Sequence, residues 1–238
     1  MPTLAHKRIL LKLGGEALWQ GADGNRPLAV STLADEIERA KKLGTEIAIV
    51  IGGGNFWRGN DPYAQSIDRS TADYMGMLGT IMNSLALRSA LEKRGIETRV
   101  QTSIEMRAIA EPYIRLRAIR HLEKGRIVIF GGGTGNPYFT TDTAGALRAK
   151  EIEADVLFKA TKVDGVYDRD PLKYSDAKKF DKLSYHQAIE MDSVEVMDNT
   201  ALSLCMDNRL PIIVFDLSMP HAIERAVLGE QIGTIISK

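Results

Sequence analysis

The chain of 238 residues holds one cysteine, Cys205. No intramolecular disulfide can form, which excludes a disulfide-stapled scaffold and agrees with a reducing compartment. Long apolar runs are missing too. None approaches the roughly 20 residues of a membrane span, and the run ending at Lys12 is too short for the core of a secretory signal. The expectation is a cytoplasmic protein without a membrane partner. An excess of one charge is also lacking: Lys plus Arg is 31 and Asp plus Glu is 31. An obligate nucleic-acid binder would carry a basic surplus. Three motif classes are absent as well. There is no Gly-x-x-x-x-Gly-Lys-Ser/Thr of a P-loop enzyme, and no glycine cluster reads Gly-x-Gly-x-x-Gly. Neither His-Glu-x-x-His nor Cys-x-x-Cys occurs, and His6, His121, His186 and His221 show no metal spacing, so no direct protein ligand to a metal is expected.

What is present is an alternation of apolar runs and amphipathic stretches. Strands are expected at Ile9–Leu11, Ile47–Ile51, Ile96–Val100, Arg126–Phe130, Val156–Phe158, Pro211–Phe215 and Gly233–Ile236. Helices are expected from Thr32 to Gly44, Ala72 to Arg94, Ile114 to Lys124, Asp142 to Glu151, Asn199 to Asn208 and Ala222 to Leu228. Thr32 with Asp35 fits a capping box for the first helix, and Gly44 fits its stop. Residues 164–182 read as a polar surface excursion. Such alternation implies an α/β fold with right-handed crossovers, a mainly parallel sheet and helices on both faces. Ligands of such sheets bind beyond the carboxyl ends of the strands.

Four of those ends carry glycine, hydroxyl or basic groups. Lys12-Leu13-Gly14-Gly15 follows the first strand; a glycine turn beside a solvated lysine accounts for it as well as a phosphate site does. Gly52-Gly53-Gly54-Asn55-Phe56-Trp57-Arg58 follows the second. Three glycines after a buried strand suit a backbone nest for an anion, with Arg58 close behind; Trp57 reads as a packing or subunit-contact residue. Gly131-Gly132-Gly133-Thr134-Gly135-Asn136-Pro137-Tyr138-Phe139-Thr140-Thr141-Asp142 joins glycines and hydroxyls to a helix N-terminus, which favours an anion, while Thr141 or Asp142 caps the helix. Lys159-Ala160-Thr161-Lys162-Val163-Asp164-Gly165 opens a turn-rich polar loop. Taken together on one sheet edge, they point to phosphate-rich ligands. Cys205, on an apolar helix, reads as packing.

Lys-Leu-Gly-Gly-Glu, Ile-Gly-Gly-Gly-Asn, Gly-Thr-Gly-Asn-Pro-Tyr-Phe-Thr-Thr-Asp and Ala-Thr-Lys-Val-Asp-Gly-Val-Tyr, in this order, resemble the amino-acid-kinase superfamily. Asp73 to Thr80 and the Thr134 to Asp142 run narrow the resemblance to the bacterial UMP kinases. The resemblance implies a three-layer αβα sandwich built as one domain over residues 1–238. About 1–150 would hold UMP and about 151–238 would hold ATP. It implies transfer of the ATP γ-phosphoryl group to UMP in pyrimidine nucleotide biosynthesis, with Mg²⁺ accompanying ATP. It also implies a homohexamer activated by GTP and inhibited by UTP. Carried over residue by residue, Lys12, Leu13, Gly14, Gly15, Gly54, Arg58, Thr161, Lys162, Tyr167 and Asp170 would hold ATP. Gly53, Asp73, Thr134, Gly135, Asn136, Pro137, Tyr138, Phe139, Thr140 and Thr141 would hold UMP. Lys12, Arg58, Asp142 and Asp198 would be catalytic, and Arg88 and Arg99 would contact the effector. Gly14 stands where the family often has serine, a conservative change for a backbone nest. The family's stretch tied to GTP control departs further, reading Gly24-Asn25-Arg26-Pro27-Leu28 here.

A phosphate acceptor is already anionic, so the chemistry needs positioning and charge neutralisation rather than a strong base. Two other functions share the fold: a kinase for a small carboxylate or carbamate, and a non-catalytic nucleotide-binding protein. Asp73 opposes the first, because a carboxylate acceptor wants a cation in its pocket. Retention of Lys12, Arg58 and Asp142 opposes the second.

Overall fold

The computed structural model describes residues 3–18, 26–57, 66–191 and 196–238. Arg58 and residues 19–25, with Gly24 and Asn25 of the stretch tied to GTP control, lie outside them. In chain order the elements are β1 (Arg8–Leu13), α1 (Arg26–Lys42), β2 (Glu46–Ile51), α2 (Arg69–Glu92), β3 (Thr98–Thr102), β4 (Glu111–Pro112), α3 (Arg115–Glu123), β5 (Ile127–Gly131), α4 (Thr141–Glu151) and β6 (Val156–Thr161). There follow β7 (Val166–Tyr167), β8 (Lys179–Phe180), β9 (Lys182–Ser184), α5 (Tyr185–Glu190), α6 (Asn199–Asp207), β10 (Ile212–Asp216), α7 (Ala222–Val227) and β11 (Thr234–Ser237).

One sheet runs in the order β4-β3-β5-β2-β1-β6-β10-β11-β9. Its first seven strands in that order are parallel, and β11 reverses direction against β10. The central strands are apolar on both faces because both faces are covered. Ile9, Leu11 and Leu13 of β1 enter one core with Leu33 and Ile37 of α1, Leu87 and Leu91 of α2, and Ile223 and Val227 of α7. Leu10 enters the opposite core with Leu122 of α3, Ala144 of α4, Tyr185 of α5 and Leu202 of α6. This is the three-layer αβα sandwich expected. The alternation of side chains along a strand puts Lys12 on the face of Leu10, under α4. Among the described residues, no helix is long and apolar enough to cross a membrane.

The element order is as read from the sequence, with differences at the ends. The first helix begins at Arg26 instead of Thr32. Ala29 and Leu33 already belong to its buried stripe with Ile37 and Ala40, so burial carries the helix past the Thr32–Asp35 capping pattern. The second begins at Arg69, where the Asp68 side chain accepts the Thr71 amide at 3.0 Å. The α4 cap is Thr140, whose hydroxyl oxygen accepts the amides of Asp142 and Thr143, and neither Thr141 nor Asp142 fills that role. Short strands β4, β7, β8 and β9 and helix α5 went unread because pieces of two to six residues carry too little periodicity. The excursion at 164–182 contains the β7–β8 ribbon, pinned where the Val166 amide donates to Thr234 Oγ1 at 2.8 Å.

Candidate active site

The four glycine, hydroxyl or basic strand ends belong to β5, β2, β1 and β6, which are consecutive neighbours in the sheet. Their loops therefore meet along one edge. Over β2 and β5 lies a cavity of about 140 Å³, walled by Gly53, Gly54, Trp57, Asp73, Gly76, Thr80, Gly133, Thr134, Phe139, Thr140 and Thr141 among others. Over β1, β6 and β10 lies a larger one of about 760 Å³, walled by Lys12, Gly14, Glu16, Lys159, Thr161, Lys162, Asp216 and the α1 residues Leu28, Ala29, Thr32, Leu33 and Glu36, among others.

The walls of the smaller cavity are braced by Asp73 and by side chains to which the sequence motifs assigned no role, Thr80, Asn83, Ser103 and Arg148. A Cβ on Gly53 would stand 2.3 Å from the Gly76 carbonyl oxygen. Helix α2 can press its backbone onto the nest only because that position is glycine. Asn83, buried on α2, donates from Nδ2 to the Gly52 carbonyl at 2.7 Å and to Asn55 Oδ1 at 2.8 Å. The second nest turns through Gly132, Gly133 and Gly135, all at positive φ. The Gly132 amide donates to Thr80 Oγ1 at 2.7 Å. Ser103 Oγ donates to the Gly133 carbonyl at 2.8 Å and accepts from Arg148 at 3.0 Å. Tyr138 also adopts the left-handed region, φ 73°, with its amide bonded to Asp73 Oδ2 at 2.7 Å. Asp73 thus ties the loop to α2, and Arg69 pairs with the same carboxylate at 2.9 Å.

Between the cavities lies an ion cluster. Lys12 Nζ stands 2.5 Å from Asp142 Oδ1, and Lys159 Nζ stands 2.8 Å from Asp142 Oδ2. Thr141, the neighbour of Asp142, walls the smaller cavity, while both lysines wall the larger one. Because Thr140 caps α4, the Asp142 carboxylate is left to face the sheet. Burial pushes the Asp142 carboxyl up, but the charges and hydrogen bonds of Lys12 and Lys159 outweigh it and hold the group below its ordinary value. Asp198 stands behind: it caps α6 and accepts the hydroxyls of Thr140 at 2.5 Å and Thr143 at 2.9 Å.

The amino acid kinase family's sequence profile matches residues 7–216. The fold superposes on a UMP kinase from Bacillus anthracis with a TM-score of 0.93, at 44% identity over 100% of this chain and 97% of that one. It also matches a UMP kinase from Ureaplasma parvum (TM-score 0.90, 36% identity, 98% and 99% covered) and a uridylate kinase from Archaeoglobus fulgidus (0.74, 30%, 96% and 99%). The chain belongs to the amino acid kinase family.

Placement of the expected residues follows the family frame unevenly. Gly53, Asp73, Thr134, Phe139, Thr140 and Thr141 wall the smaller cavity, and Gly54 joins them rather than the larger one. Gly135, Asn136, Pro137 and Tyr138 form the outer turn of the same loop without walling the cavity. Lys12, Gly14, Thr161 and Lys162 wall the larger cavity. Leu13 sends its side chain into the core, leaving only its backbone at the edge; Gly15 is buried beside it. Tyr167 and Asp170 stand outside that wall. The Tyr167 hydroxyl donates to Asp164 at 2.6 Å, and Asp170 accepts the Leu172 amide at 3.0 Å. Arg88 and Arg99 come together in a separate hollow of about 480 Å³ with Glu92, Arg107 and Glu111 among its walls. Trp57, read as a packing or subunit-contact residue, walls the smaller cavity. Cys205 is buried as expected, and burial raises its thiol to about 12. Lys159 was the main omission. Its signal was a lysine inside the otherwise apolar strand Val156-Leu157-Phe158-Lys159-Ala160.

The cluster has a stability consequence. A carboxyl whose folded pKa is lowered contributes stability above its unfolded value, 3.8, and loses it as the pH falls toward the folded value. Asp142→Asn should lower unfolding free energy at pH 7 by about 3 kcal/mol, since it leaves two ammonium groups facing no charge. Urea unfolding at pH 7, and thermal scans from pH 7 to 3, should show the two proteins converging in acid. Parallel curves across that range would remove the carboxylate charge from the account.

Proposed function

We propose that this chain moves the γ-phosphoryl group of ATP onto UMP, giving UDP and ADP, the step that supplies nucleoside diphosphate to pyrimidine synthesis. The observation that carries this reading is the seam: one carboxylate-linked lysine pair between two cavities, each edged by a glycine nest. The kinases of similar sequence and fold support the choice of acceptor. UMP fits the smaller cavity, with Gly53 and residues 134–141 around it and the Asp73 carboxylate available to a ribose diol. ATP fits the larger one, its phosphates over Lys12 to Gly15 with Gly54 alongside, and its nucleoside toward Thr161 and Lys162. Tyr167 and Asp170 would approach from the β7 side. Arg58 completes the anion site in this reading.

The reaction forms a bond from a UMP phosphate oxygen to the γ-phosphorus and breaks its bond to the β–γ bridging oxygen. No proton has to be removed, so the protein's task is alignment and charge. Lys12 supports the charge on the transferring group, Asp142 orients Lys12, and Asp198 acts through Thr140 and Thr143 to fix the start of α4. Among the described residues no three metal-binding side chains converge. In this reading Mg²⁺ would arrive with the nucleotide, held mainly by substrate phosphates as is usual for that ion. Mg²⁺ would supply further neutralisation of the phosphate oxygens.

Assembly and control extend the reading. Tyr74, Leu78 and Met82 recur every fourth residue on the exposed face of α2, a stripe suited to a second copy in a homohexamer. Leu87 of the same helix is fully buried in the core. Arg88, Arg99 and Arg107 share one hollow, which suits the phosphates of a GTP activator or a UTP inhibitor.

A coupled assay for ADP release with UMP, CMP, acetylglutamate and no acceptor separates this reading from a carboxylate kinase and from a non-catalytic binder. ADP release that is independent of UMP would sink it. Lys12→Ala should lower kcat by about 10² or more with UMP binding nearly intact, because the lost interaction belongs to the transition state. Wild-type turnover would reduce Lys12 to a structural cation. Asp73→Asn should raise the UMP KM by roughly tenfold or more and the ATP KM less, through lost charge-assisted bonds; equal effects would place Asp73 outside the acceptor site. GTP should shift the UMP saturation curve of the wild type and leave Arg88→Ala unmoved, in a particle of hexameric mass. A monomer indifferent to GTP would end both the assembly and the effector proposals.

A further inference from the structure

The turn through Gly132, Gly133 and Gly135 is held from behind by two residues outside the motifs. Ser103 follows β3, and Arg148 lies on α4. Both wall a hollow of about 280 Å³ that shares Thr134 with the smaller cavity. The Ser103 amide donates to the Gly131 carbonyl at 3.1 Å, and its hydroxyl donates to the Gly133 carbonyl at 2.8 Å. The same hydroxyl oxygen accepts from Arg148 at 3.0 Å. Arg148 is only 5% exposed. Its guanidinium lies 3.7 Å from the centre of the Tyr113 ring and donates to Glu151 at 2.5 Å.

The direction of this chain of bonds is fixed. A guanidinium has donors and no acceptor, and a serine hydroxyl has one hydrogen. With its oxygen turned to Arg148, Ser103 must aim that hydrogen elsewhere, and the Gly133 carbonyl receives it. In a planar trans peptide the N–H points opposite to the C=O. The Gly133–Thr134 peptide is trans, so its N–H, that of Thr134, points away from Ser103 and to the side of the smaller cavity. The amides of Gly132 and Gly135 are already taken, by Thr80 Oγ1 at 2.7 Å and by the Gly132 carbonyl at 2.9 Å. Those of Gly133 and Thr134 have no hydrogen-bond partner among the described residues, and both residues wall the cavity. Gly133, at φ 57°, has no side chain to oppose a flip of the peptide that follows it. Without the Ser103 hydroxyl, the Gly133 carbonyl is free to turn where the Thr134 N–H now points.

That choice bears on the acceptor base. With the acceptor phosphate at the seam beside Thr141 and the ribose at Asp73, the wall left for the base is Gly133 and Thr134. Uracil carries an accepting oxygen at its 4-position, where cytosine carries a donating amine. An N–H on the wall pairs with the first and opposes the second; a carbonyl there does the reverse.

We propose that Ser103, oriented by Arg148, is a positioning residue that determines acceptor specificity. It holds the Gly133–Thr134 peptide with its N–H toward the base, so the site takes a 4-carbonyl pyrimidine and rejects a 4-amino one. The inference rests on the smaller cavity being the UMP site.

The test uses the full chain with Ser103→Ala, Ser103→Thr and Ser103→Val. Threonine and valine differ in the hydroxyl at closely matched shape, so that pair carries the test if Ser103→Ala does not fold. Steady-state constants for UMP, CMP and ATP are measured, with calorimetric binding of UMP and CMP on the same samples. Ser103→Ala and Ser103→Val are expected to lower the UMP-to-CMP ratio of kcat/KM by about tenfold, with the ATP KM within about twofold of wild type. Ser103→Thr should keep the ratio within about threefold. A merely structural serine would weaken both acceptors alike and leave the ratio unmoved. The proposal is overturned if Ser103→Ala keeps the ratio within about twofold of wild type. It is equally overturned if the threonine and valine variants share one ratio, or if the wild type does not discriminate. A wild type that binds UMP but makes no UDP would sink the UMP kinase reading alone. The orientation claim would then be decided by whether the binding preference for UMP over CMP falls in Ser103→Ala. A wild type that binds neither nucleotide would sink both.

Discussion

The Asp142 carboxylate, held between Lys12 and Lys159, is the contact on which the geometry of the site depends. It joins the first turn of α4 both to β6, the next element of the chain, and to β1, which is distant in sequence. A carboxylate in that position is expensive to desolvate, and only the paired ammonium groups keep it ionised. Its location also fixes what surrounds it. The nest after β1 and the nest after β2 must lie on either side, and the α4 N-terminus must come down onto the strand ends between the two cavities.

Several neighbours serve that placement rather than any ligand directly. Thr140 takes the cap of α4 and so leaves Asp142 available to the sheet. Asp198 caps α6 and holds the hydroxyls of Thr140 and Thr143, which links the second helix to the first. On the other side Thr80, Asn83 and Ser103 hold the carbonyls and amides of the two nests. Glycine-rich loops have many accessible conformations, and such bonds select one of them before any nucleotide binds. Gly53 and Gly76 complete the arrangement by allowing a helix backbone to rest on a loop backbone.

The order of the strands turns this local chemistry into two sites. From β1 the chain crosses to β2 on one side of the sheet and later to β6 on the other, so the strand order reverses at β1. A crevice forms at such a point beyond the strand ends. Lys12 sits at that reversal, which is why it can serve one cavity while Thr141, beside its partner carboxylate, walls the other. Arg88 and Arg99 stand apart from both, in a hollow formed by the end of α2 and the start of β3.

The sequence alone determined the fold class and the edge of the sheet that matters. Apolar runs such as Ile47–Ile51 read as strands covered on both faces, and glycine, hydroxyl or basic groups after four of them, gathered on one sheet edge, point to phosphate-rich ligands. Helix starts were less legible. Thr32 has the chemistry of a cap but lies inside α1, because burial of Ala29 and Leu33 outweighs a local hydrogen bond. Residues such as Thr80, Asn83, Ser103 and Arg148 look like ordinary polar positions until α2, β3 and α4 are brought against the glycine turns. Lys159 shows the same limit: a lysine within an apolar strand signals something unusual, but its meaning depends on register. Only the pairing of β6 with β1 places it beside Lys12, and only the packing of α4 supplies the carboxylate between them. Motifs are local in the chain, whereas an electrostatic site is local in space, so the tertiary structure decided which charges meet.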